Sequence, residues 1–98
     1  MVAHGTYCLD GYVLDTLLPD LVGHDRRPAA FLVYLVILAA ASNGRASLSH
    51  AQLAERAGLS KRSVQAAVAL LARRRLIEIV RRGVTETSEY RPLTPWRR

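Results

Sequence analysis

The sequence predicts a mainly α-helical domain with a small β-hairpin near its end. A short capped helix over 49–57 and a longer capped helix over 61–74 flank a glycine-bearing turn, and a strongly apolar helix precedes the pair. A β-branched run, Leu76 to Val80 (LIEIV), then leads through Arg81-Arg82-Gly83 to a second extended stretch at 88–93. With 98 residues the chain is long enough for one compact unit and too short for two self-sufficient cores. Half of it is hydrophobic and 22% is charged, a balance that argues for a packed core and against disorder.

From the N-terminus, residues 6–10 suit a short extended piece and 11–18 one or two helical turns, with Pro19 and Gly23 as breaks. The first strong helix is expected over 27–42, because Pro28 is tolerated in a first turn and Asn43-Gly44 supplies a stop. Apolar side chains from Phe31 to Leu38 surround this helix, so it needs cover on more than one side, from its own chain or from a second copy. Residues 45–48 form a link with room for one or two residues of strand.

Ser49-His-Ala-Gln52 has the S-x-x-Q form of a capping box, in which serine and glutamine side chains satisfy each other's free backbone N–H groups. That helix carries Leu53, Ala54 and Ala57 inward and stops at Gly58. Ser60 is a good N-cap for the next helix. At about 100° per residue, Val64, Ala67, Val68 and Leu71 share one face, while Arg62, Gln65, Ala66, Ala69 and Arg73 lie broadly opposite. Pro92, Pro95 and Trp96 suit an extended tail, with Trp96 either anchoring it or meeting a partner. The divisions that follow are an acidic extension packed on the core (1–26), the main domain (27–94) and the tail (95–98).

Charge is distributed unevenly. Residues 1–25 hold Asp10, Asp15, Asp20 and Asp25 with no Lys or Arg, which reads as a solvated acidic face; all fourteen cations lie in 26–98 with four Glu, a local +10. Such a field attracts polyanions, nucleic acid first and anionic lipid second. The apolar run 28–41 covers fourteen residues, about 21 Å as a helix against a hydrocarbon core of roughly 30 Å, so it is not expected to span a membrane. With no cationic leader before it, and with Cys8 as the only cysteine, a reducing cytoplasm is expected. Cys8 is expected to be a small core residue rather than a redox sensor.

Two capped helices joined at Gly58-Leu59-Ser60 form a helix-turn-helix. Residues 48–83 resemble the winged helix-turn-helix of bacterial DNA-binding proteins, and are similar to the short helix-turn-helix domains of transcriptional regulators and of plasmid or phage replication proteins. The most telling pieces are QLAERAGLSKRSV (52–64) and LLARRRLIEI (70–79). The resemblance implies a three-helix core, a recognition helix at 61–74 and a wing at 77–93. Its pattern commonly has glycine where this chain has Arg75. A left-handed Arg75 carries a steric cost, so the alternative is a helix running straight into the strand.

Residue chemistry leads to the same partner. The major groove of B-DNA accepts one helix, whose start presents free N–H groups to phosphate. Arg62 is the candidate for a bidentate contact to guanine and Gln65 for one to adenine, while Ala66 and Ala69 permit close backbone approach. Ser49, His50, Ser60, Lys61, Ser63 and Arg73 are the candidate phosphate contacts that fix register. Arg81 and Arg82 are placed at the wing, with Arg91 a lesser candidate. For Arg74 and Arg75 two readings stay open, DNA contact or cations that complement a helix C-terminus.

The expected function is sequence-specific binding of double-stranded DNA by a transcriptional regulator, as a homodimer, since one recognition helix reads few base pairs and two half-sites are the usual remedy. The alternative is a winged-helix module that docks on protein, as in replication, motivated by the acidic segment and the apolar helix. The three histidines lack metal-ligand spacing, and no nucleophile elbow, phosphate loop or paired carboxylates on an apolar cleft is present. A protein without metal, cofactor or catalytic activity is therefore expected.

Overall fold

A computed structural model describes residues 5–81 and 87–96 of the chain. Three helices, α1 (Pro28–Ala40), α2 (His50–Ala57) and α3 (Lys61–Arg73), pack on a three-stranded antiparallel sheet of β1 (Ala46–Ser49), β2 (Ile77–Arg81) and β3 (Thr87–Pro92), in the order β1-β3-β2. The result is mainly helical with a small sheet, as expected, but the sheet exceeds a hairpin. The link 45–48 became a full strand, with Ala46 opposite Tyr90 and Ser49 opposite Thr87. Backbone groups of a central strand need partners on both edges, and β1 supplies the second edge.

The stop after α1 explains how β1 is aimed. Asn43 (φ 54°) and Gly44 (φ 80°) are both left-handed, and Ser42 and Arg45 exchange both backbone hydrogen bonds (2.7 and 3.1 Å). This is a type I′ turn, which Asn-Gly favours because both central residues need positive φ. The chain reverses here and runs directly into β1.

Upstream, residues 5–10 belong to no regular element, and Cys8 is exposed there, contrary to its expected place in the core. Helical winding then runs through Pro19 and Gly23 instead of breaking at them. Val13–Leu17 and Pro19–His24 are wide turns in which the Leu18 N–H reaches the Val13 carbonyl and the Asp25 N–H the Asp20 carbonyl. Pro19 is tolerated because it opens the second of these turns, where its lack of an N–H matters least.

Val13, Leu17 and Leu21 from this segment join one core with Tyr34, Ile37, Leu53, Val64, Leu71 and Ile77. Covering α1 is therefore largely the chain's own work: Ala30, Phe31, Val33, Tyr34 and Ile37 are buried, while Leu32 remains 40% exposed. Full burial of a side chain such as Phe31, Val33 or Ile37 contributes about 1.5–3 kcal/mol. The buried Tyr34 hydroxyl donates to the Leu93 carbonyl (3.0 Å), and the Leu93 N–H to the Leu76 carbonyl (2.8 Å), which ties the end of the sheet to α1. Beyond it Trp96 stacks on Tyr12, ring centroids 4.4 Å apart, so the tail is anchored on the N-terminal segment. Among the described residues no helix is long and apolar enough to cross a membrane.

Candidate nucleic-acid interface

The interface is built on two serine caps and a left-handed turn. Ser49 Oγ accepts from the Gln52 N–H (3.0 Å) and Gln52 Oε1 from the Ser49 N–H (2.8 Å), completing the expected capping box at α2. Gly58 (φ 73°) then turns the chain while the Leu59 N–H returns to the Ala54 carbonyl (2.9 Å). Ser60 Oγ accepts from the Ser63 N–H (3.1 Å) and opens α3. Val64, Ala67, Val68 and Leu71 are buried, and this stripe fixes which side of α3 faces out.

That outer side carries Lys61, Arg62, Gln65, Ala66, Ala69 and Arg73, all exposed. Ser60 is exposed, and Ser63 and His50 are half-buried at the starts of their helices. Ser49 departs from its expected place. It is buried at 8% exposure and its hydroxyl oxygen is engaged in the cap, so it shapes the start of α2 without presenting itself to a phosphate. Arg81 is the last residue of β2, in register with Glu89 across an irregularity in the ladder. Arg82 and the tip of the hairpin lie outside the described residues. Arg91 pairs with Glu78 on the neighbouring strand (Nε to Oε1, 2.8 Å), which engages its charge within the sheet.

The exit from α3 is sharp. Arg75 adopts φ 58°, its N–H bonding the Ala72 carbonyl (3.1 Å), and the Leu76 N–H reaches the Leu71 carbonyl (2.9 Å). The helix does not run straight into β2, because this Schellman closure satisfies its last carbonyls and drops Leu76 onto the core. Both gains outweigh the roughly 1–2 kcal/mol that a left-handed non-glycine residue costs.

Arg74, the C-cap of α3, has a role beyond the two the sequence suggested. Its guanidinium holds two carboxylates of the N-terminal segment, Asp20 (Nη2 to Oδ2, 2.7 Å) and Asp25. Hydrogen bonding to Asp20 is the main reason its basicity rises above the ordinary arginine value, with desolvation opposing. The acidic segment is thus not merely a solvated face. His24 Nδ1 lies 3.2 Å from Asp25 and 3.9 Å from Asp20, so these three residues cluster, but the two carboxylates are engaged by Arg74.

The cations whose side chains are described fall into two groups. Arg45, Arg74 and Arg91 are paired with carboxylates, Arg45 to Glu89 at 2.9 Å. Arg26, Arg27, Arg56, Lys61, Arg62, Arg73 and Arg75 are exposed, with no carboxylate partner among the described residues. The unpaired group is concentrated on α3 and beside it.

A capped helix, a left-handed glycine turn and a second capped helix with an open basic face, followed by a hairpin, define a winged helix-turn-helix protein. Comparison with known families agrees: residues 27–77, just over half of the chain, match the helix-turn-helix domain family. The chain belongs to that family, whose fold is a DNA-binding one. No curated protein and no solved structure matches it.

Proposed function

We propose that this protein binds double-stranded DNA sequence-specifically, as a transcriptional regulator that inserts α3 into the major groove. The observation that carries this reading is the outer side of α3, where Arg62, Gln65 and Arg73 are open to solvent and the two arginines have no carboxylate partner among the described residues. Arg62 and Gln65 read base edges, and Ala66 and Ala69 let the helix backbone approach. Lys61 and Arg73 hold phosphates and set register. It is a binding protein with no catalytic step, metal or cofactor in its action.

Two copies on two half-sites complete the proposal, because one recognition helix covers only a few base pairs. The test is selection of bound duplexes from a random pool, followed by anisotropy titrations at low and high salt. Enrichment of a site together with steeply salt-sensitive binding is expected. No enriched site and no binding at low salt would overturn the reading and turn attention to protein docking through the exposed Tyr7, Leu14 and Leu32.

A further inference from the structure

Arg26 and Arg27 form the link between the N-terminal segment and α1. Both are exposed, and neither has a carboxylate partner among the described residues. The link is held from two sides. Immediately before it, Asp25 is bound by Arg74 at the end of α3, and the Arg27 N–H donates to the Leu21 carbonyl (2.7 Å). Arg26 turns through a left-handed φ of 54° between these anchors.

Arg27 also lines a cleft of about 110 Å³ together with Ser63, Ala66 and Leu70 of α3. At about 100° per residue these three form one flank of α3, next to the side that bears Arg62 and Arg73. Ala66 belongs to both, so the cleft borders the face proposed to enter the groove. The chain from 25 to 27 therefore runs along this flank, with Asp25 at Arg74 and Arg27 beside Ser63 to Leu70.

We infer that Arg26 and Arg27 are a phosphate clamp, gripping the DNA strand that borders the major groove on this flank while α3 reads the bases. The inference rests on the DNA-binding reading of α3 and adds a second element to it. Its logic is electrostatic: the acidic segment neutralises Arg74, and by the same ion pair positions two cations that have no carboxylate partner among the described residues. Contacts of this kind position the protein without distinguishing sequences.

The test is the salt dependence of duplex binding by the full chain, wild type against the Arg26→Gln/Arg27→Gln double variant, on the selected site and on a random duplex. Each lost phosphate contact is expected to lower the slope of log K against log salt by about 0.9, and to weaken binding roughly five- to tenfold at about 0.1 M salt, on both duplexes alike. Arg27→Lys should keep the wild-type slope, and thermal unfolding of the double variant should match wild type. An unchanged slope with wild-type binding intact would overturn the clamp alone, as would a loss confined to the selected site. Absence of salt-sensitive binding by the wild type would overturn the reading of α3, and the clamp with it.

Discussion

Gly58 and Arg75 occupy equivalent positions at the ends of α2 and α3. Each is the left-handed residue of its helix terminus, at φ 73° and 58°, and each is followed by a leucine whose N–H returns to a carbonyl five residues back. One closure uses the residue type that suits it and the other does not. Substitutions at the two places should therefore move stability in opposite directions. Arg75→Gly should stabilise by about 0.5–1 kcal/mol by relieving the left-handed strain. Gly58→Ala should destabilise by about 1 kcal/mol through conformation alone, since no atom stands within 4 Å of the added methyl. Urea midpoints of the two variants check both signs.

The caps can be weighed the same way. Ser49→Ala removes the acceptor for the Gln52 N–H and should cost about 1 kcal/mol, with Ser60→Ala costing a similar or smaller amount at an exposed site. Equal urea midpoints for Ser49→Ala and wild type would contradict the capping role.

Base reading by α3 predicts a particular signature. Arg62→Ala should cost about 1–3 kcal/mol on the selected site and narrow the gap between that site and random duplex, whereas Lys61→Ala should weaken both alike. Competition titrations with the two duplexes separate the outcomes.

The pairing of Arg74 with Asp20 and Asp25 is partly exposed, so it is worth little to global stability. Asp20→Asn/Asp25→Asn should lose under about 1 kcal/mol at low ionic strength and less as salt screens the pair. Because Arg74 is a base whose folded value is raised, its contribution is fully present below the unfolded arginine value and fades only as pH rises through the folded one. Urea titrations of wild type across neutral pH should show no step from this group.

Trp96 tests the anchoring of the tail. Its indole Nε1 is buried with no acceptor among the described residues, while its ring stacks on Tyr12. Trp96→Phe should be near neutral or slightly stabilising, because it keeps an aromatic ring and removes an unsatisfied donor; Trp96→Ala should lose the stack, about 0.5–1.5 kcal/mol beyond lost burial. Circular dichroism melts of the two variants give the comparison.

What could be read in the sequence was whatever local chemistry decides. Ser49 with Gln52, Ser60, and the apolar stripe from Val64 to Leu71 depend on neighbours within a helical turn, and each lies where spacing puts it. Asn43-Gly44 carried more than a stop, since that pair is also a type I′ turn signal. Residues 46–49 are a strand because β3 lies alongside, a partner some forty positions away. Separations of 54 and 49 positions hid the pairing of Arg74 with Asp20 and Asp25, and with it the placement of Arg26 and Arg27; the abrupt change of sign at Asp25-Arg26 was the one available hint. At Arg75 a glycine rule gave way to the burial of Leu76.

Ser49 is at once the last residue of β1, paired with Thr87 at the foot of the wing, and the N-cap of α2. No flexible hinge separates the strand from the helix there, so the wing's base and the start of the helix-turn-helix behave like the two jaws of a caliper locked at one opening. Their span is set by main-chain pairing on the strand side and by the Ser49–Gln52 caps on the helix side. On the proposed reading of α3, substitutions on its outer side would change the preferred bases while leaving the footprint along the duplex as it is.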